Sequence, residues 1–141
     1  MNKKQMMLAA LMVIAATNLS SAQVFFPSLG TFTPEQKRDI DRNYAANLSS
    51  WHDGIVESSL AVVTMAKLDL PADELPLLEI KIKKLVATGA TPVIRYKAYL
   101  AGSVFANPEM FKQEGSHTYG NSDELFGAIA ERLNQTLLSS K

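Results

Sequence analysis

The chain contains no cysteine. That excludes disulfides, thiolate metal sites, a cysteine nucleophile and a lipid-modified N-terminal cysteine. Charge of one sign is not in excess either: 14 Lys and Arg balance 14 Asp and Glu. A neutral chain gives no global argument for nucleic acid or for an anionic surface. There are 2 histidines, His52 and His117, far apart and both read as loop residues. A metal site needs convergent ligands, so none is expected. No nucleophile elbow, zinc-protease motif or phosphate-cradling glycine loop occurs. "SSWHDG" holds Ser, His and Asp, but consecutive residues do not converge into a triad. No catalytic residue, cofactor site or metal site is therefore assigned.

What is present begins at the N-terminus. "MNKKQ" is a short basic region, and Met6 to Thr17 is an unbroken apolar run. It is too short to span a bilayer and suits the apolar part of a signal peptide. Ser20 and Ala22 occupy the small-residue positions before a cut at Gln23. Residues 1–22 thus read as a secretory signal, and export to a periplasm or the exterior is expected. Loss of Lys3 and Lys4 would leave 12 basic and 14 acidic residues. No second apolar run long enough for a span follows.

Residues 23–32, with Pro27 and Gly30, read as an extended lead-in whose Phe25, Phe26 and Phe32 fold back on helices. Residues 33–138 form one helical domain. "TPEQ" starts its first helix, with Thr33 as N-cap, Pro34 at the first position and Gln36 completing a capping box. Ile40, Tyr44 and Leu48 make its apolar stripe. Residues 55–68 are apolar nearly all round, interrupted by Glu57, Ser58 and Thr64. After Pro71, Asp73 is the expected cap of a third helix with Leu78, Ile82, Leu85 and Val86 on its stripe. Lys81, Lys83 and Lys84 fall largely off it. Gly89 stops that helix, Thr91 and Pro92 open a fourth, and Asn107–Pro108 ends it. The helix pairs are 34–68 and 74–106. A loop, 107–121, holds Met110, Phe111, His117 and Tyr119. A last helix, 122–138, is capped by Asn121 or Ser122, with Leu125, Ile129, Leu133 and Leu137 inward. Five helices and no strand are predicted.

A shift of 38 residues lays the first pair on the second. Ile40, Tyr44 and Leu48 fall on Leu78, Ile82 and Val86, while Val56 falls on Ile94 and Leu60 on Ala98. A period near 40 residues, helix–break–helix, is the pattern of an α-solenoid. "TPVIRYKAYLAG" resembles the second-helix signature of HEAT-like repeats, through Pro92, Ile94, Arg95 and Ala98. "DGIVESSLAVV" is a weaker copy, with Gly54 for the proline and Glu57 for the arginine. The resemblance covers about residues 34–106. It implies an α-α superhelix that binds other proteins and has no active site of its own. With two units visible, the last helix would act as a cap, or a partner would cover the open end.

On the fourth helix Lys97 falls inside an apolar arc that includes Ile94, Ala98, Ala101 and Phe105. The first expectation is that it snorkels to water. An internal ion pair and a functional lysine of lowered pKa are the other two. Arg95, Tyr96 and Tyr99 lie opposite and are candidates for partner binding. Arg95 also has a structural reading, as a tie between helices. Trp51 is expected to plug the break between the first two helices; exposed, it becomes a fourth candidate, and Tyr119 is the fifth. The expected fold is all-α, a short α-α solenoid or helical bundle of about five helices. The expected function is a non-catalytic interaction module whose partner is another protein in the exported compartment. A helical small-ligand or lipid-binding protein is the alternative, and an enzyme without a local motif the second.

Overall fold

Helix starts follow local chemistry closely in this chain. Proline stands at the first helical position of four helices, where its missing N–H costs no hydrogen bond and its fixed φ suits the helix. The computed structural model describes residues 32–112 and 118–140. Within them lie α1 (Pro34–Asn47), α2 (Asp53–Asp69), α3 (Pro76–Thr88), α4 (Pro92–Ala106), a short α5 (Pro108–Phe111) and α6 (Ser122–Ser139). No strand occurs among the described residues. The protein is all-α. Residues 1–22, expected to be a signal, lie outside the described residues, as do Phe25, Phe26 and His117. Phe32 is described and packs beside Ala66 and Leu70.

The expected caps form at three helices. Thr33 accepts from Gln36 N, whose side chain in turn accepts from Thr33 N. Thr91 accepts from Ile94 N and Asn121 from Glu124 N. The start of α3 departs from expectation. Its N-cap is Leu75, which has no side-chain oxygen to offer, and Asp73 is turned away. The Asp73 carboxylate instead accepts from Lys37 Nζ at 3.0 Å, and its carbonyl accepts from Lys67 Nζ at 2.7 Å. The cap comes from another helix. Asp41 of α1, buried, accepts from Leu78 N at 2.9 Å and Leu77 N at 3.2 Å. Four orphan N–H groups at a helix start need acceptors, and a carboxylate beside the positive end of the helix is a good one.

α1 lies against α2 and α3, and both α2 and α3 pack on α4. α6 rests on α2 and α4, and α5 touches the same two helices. The main core has Leu60, Val63, Leu78, Ile82, Ile94 and Leu125 at its centre, and Ala66 and Leu70 form a second, smaller cluster with Ile40 and Phe32. Positions 38 apart on α2 and α4 share their burial: Val56 with Ile94, Leu60 with Ala98. α1 and α3 match less well, since Leu48 is buried while Val86 is 36% exposed.

Two further expectations need correction. The segment 107–121 is not all loop, because Pro108 opens a turn of helix that delivers Phe111 into the core. Leu137 does not face inward; it is 64% exposed. Everything from Asn134 to Ser140 is exposed, so α6 outruns the body that would cover it.

Candidate functional site

The capped start of α4 fixes which of its faces meets solvent. Ile94, Ala98 and Ala101 are buried, which leaves Tyr96 and Tyr99 outward at 55% and 52% exposure. Tyr99 lines a cleft of about 330 Å3 with Ile82, Lys83 and Val86 of α3 and Gly102 of α4. Arg95 ties the turn before its own helix: Nη1 donates to the Gly89 carbonyl at 2.7 Å. Part of its guanidinium is thereby used in structure.

Trp51 does not plug the break between α1 and α2. It is 85% exposed, its ring 3.5 Å from that of His52 between centroids. Leu48 and Val56, both buried, close that turn, and Ser50 Oγ accepts from His52 N. Tyr119 is half-buried and packs against the main core. Burial pushes its phenol above the usual 10.0. Tyr96 and Tyr99 thus share one helical face, Trp51 stands on a separate turn, and Tyr119 leans inward.

Lys97 does not snorkel. Its Nζ donates to Glu57 of α2 at 2.9 Å and to Asp123 of α6 at 3.1 Å, and lies 5.8 Å from the Phe126 ring centroid. One ammonium therefore links three helices. Burial alone would lower its pKa, but the hydrogen bonds and charges of Glu57 and Asp123 outweigh that and hold it above 10.5. The Asp123 side chain is 87% exposed, so that arm of the pair is screened and adds little.

Lys97 and Tyr119 both have folded pKa values raised above their unfolded ones. Stability from each is complete below the unfolded value and is lost as pH rises through the folded one. These two groups should therefore leave the thermal midpoint level up to about pH 9 and lower it beyond pH 10.5. Lys97→Met should cost about 1 kcal/mol at neutral pH and flatten part of the alkaline fall. An unchanged alkaline slope in that variant would show the linkage to be wrongly assigned.

Two more clefts open on the surface. One of about 680 Å3 lies between α1 and the start of α3, lined by charges of both signs. Another of about 310 Å3 lies where the α1–α2 turn meets α3 and α4. Lys81, Lys84, Ser49, Ser50 and Asp53 rim it over Leu48, Val56, Leu85 and Ile94. In the sequence the inward stripe of α3 overshadows this side of the helix. Its signal was nonetheless present, because Leu77, Ile80, Lys81 and Lys84 follow helical spacing on the opposite face.

Among the described residues, no group of three or more His, Cys, Asp or Glu could hold a metal ion. None of the helices among them is long and apolar enough to cross a membrane. No family model, curated protein sequence or solved structure matches this chain.

Proposed function

We propose that the chain is an exported, non-catalytic helical module that binds another protein through aromatic residues on its surface. The observation that carries this is the exposure of Trp51, Tyr96 and Tyr99, each more than half in water. These are residue types that dominate binding energy when a partner desolvates them, because each brings a large rigid surface with a polar tip. A HEAT-like stacking of two hairpins is supported by the side-by-side packing of α1 with α3 and of α2 with α4. Export rests on the apolar run at residues 6–17.

The test is recovery of partners by the tagged chain from the exported fraction of its own cells. Tyr96→Ala combined with Tyr99→Ala should lose a specific partner while helix content stays unchanged, both side chains being exposed. The recovered chain should begin at Gln23. Equal recovery by the double variant would rule out the α4 face, absence of the chain from the exported fraction would rule out export, and a recovered chain that still begins at Met1 would rule out the cut at Gln23.

A further inference from the structure

The solvent face of α3 has a composition that a surface helix does not need for its own stability. Leu77 and Ile80 are 46% and 64% exposed. Lys81 and Lys84 follow on the same face, the four residues spaced i, i+3, i+4 and i+7. Single exposed apolar residues are ordinary on a protein surface. Here two of them form one stripe with two lysines, and those lysines are uncommitted. Apart from Arg38, every lysine and arginine among the described residues outside α3 has a hydrogen-bond or ion-pair partner. Lys81, Lys83 and Lys84 have none among the described residues. Carboxylates are not scarce, since the chain has as many acids as bases. Of these, Glu35, Asp39, Asp73 and Glu74 gather at the Leu77 end of the stripe around the cleft between α1 and α3, away from the cleft that Lys81 and Lys84 rim.

The stripe runs into the 310 Å3 cleft, whose floor is apolar and whose rim carries Lys81 and Lys84 against a single carboxylate, Asp53. The turn that joins Ser50 to Asp53 at the start of α2, both on this rim, holds Trp51 between them.

From this juxtaposition we infer that the outward face of α3, with the adjoining cleft, docks an acidic amphipathic segment of a partner protein. The inference rests on the reading of the chain as an interaction module and deepens it. Carboxylates one helical turn apart on the segment would meet Lys81 and Lys84, and its apolar residues would cover Leu77 and Ile80 and enter the cleft. Charge complementarity sets register and speeds encounter, while the apolar contacts supply affinity. This is the helix-in-groove mode of recognition. A nucleic-acid backbone would satisfy the lysines and leave the apolar half of the stripe unused.

The test is to pan a random peptide display library on the purified chain. Selected peptides should interleave Asp or Glu with apolar residues at helical spacing, and their binding should weaken as salt rises. Lys81→Glu with Lys84→Glu should reduce their affinity about tenfold or more, and Lys81→Gln with Lys84→Gln less, with helix content unchanged in both. Tyr96→Ala with Tyr99→Ala should leave the selected peptides bound. Selection of neutral or basic peptides, of none, or of peptides indifferent to the lysine changes would overturn the inference. So would a self-dimer that sediments as monomer once these lysines are replaced, because the occupant would then be a second copy. If the exported fraction yields a partner that depends on Tyr96 and Tyr99 but not on the lysines, the module reading stands and this inference falls. Failure to recover any partner strikes the module reading itself.

Discussion

Asp41→Ala is expected to lower stability by about 2–4 kcal/mol. At roughly 4–8 °C per kcal/mol for a domain of this size, the midpoint should drop by on the order of 10 °C or more. The carboxylate accepts from Leu77 N and Leu78 N, and Leu78 is fully buried. Alanine leaves both donors without this acceptor, and at the buried Leu78 N that costs more than the bond alone is worth, while Leu77 N can turn to water. It also removes the negative charge at the positive end of α3. Asp41→Asn keeps one acceptor oxygen and should lose about half as much. Asp39→Ala is the control. It removes an exposed pair with Arg42 on the same helix and should change stability by less than about 0.5 kcal/mol. Urea denaturation of the three variants decides the matter. A cost for Asp41→Ala no larger than the control would mean that water caps α3 equally well.

Gly89→Ala should be the second large effect, about 1–3 kcal/mol destabilising. The backbone conformation at Gly89 suits any residue, with φ at −56°, so the reason is space. A Cβ there would stand 2.8 Å from Ile94 Cγ2 and 2.8 Å from the Leu85 carbonyl oxygen. Ile94 is fixed in the core, and the Leu85 carbonyl is backbone already bonded to Gly89 N. Neither gives way cheaply. Relief would spread the α3–α4 turn and draw Arg95 off the Gly89 carbonyl. Gly102→Ala makes the contrast, because its Cβ would meet only Ile82 Cγ2 at an ordinary 3.6 Å. Alanine's better helix propensity then prevails, and that change should add up to about 1 kcal/mol. If both glycines respond alike in denaturation, packing at the turn is not what Gly89 serves.

What could be read from the sequence divides by the distance over which its cause acts. The Thr33–Gln36 box, the Thr91 cap and the Asn121 cap need partners three residues away, and all three form. The outward face of α4 follows from its own period, and Tyr96 and Tyr99 lie on it. The Asp41 cap joins residues 36 and 37 apart, so the nearer Asp73 looked the better candidate. Lys97 was visible as an anomaly in an apolar arc, but its partners come from two other helices, 40 and 26 residues away. Trp51 and Leu137 fail for one reason: whether an apolar residue is covered depends on what else reaches that place. At the turn beside Trp51 it is Leu48 and Val56 that are buried, and Leu137 stands on the exposed end of α6. The lysine stripe of α3 needed the other cations' partners to be known before its own lack of them meant anything.

The surface position of Trp51 has a spectroscopic consequence. It is the chain's sole indole, and in the native protein it already sits in water. Denaturation therefore changes its surroundings little, and its emission is a poor gauge of whether the interior is intact. The same property makes it a quiet background against which contact at the neighbouring rim would register as a shift toward the blue.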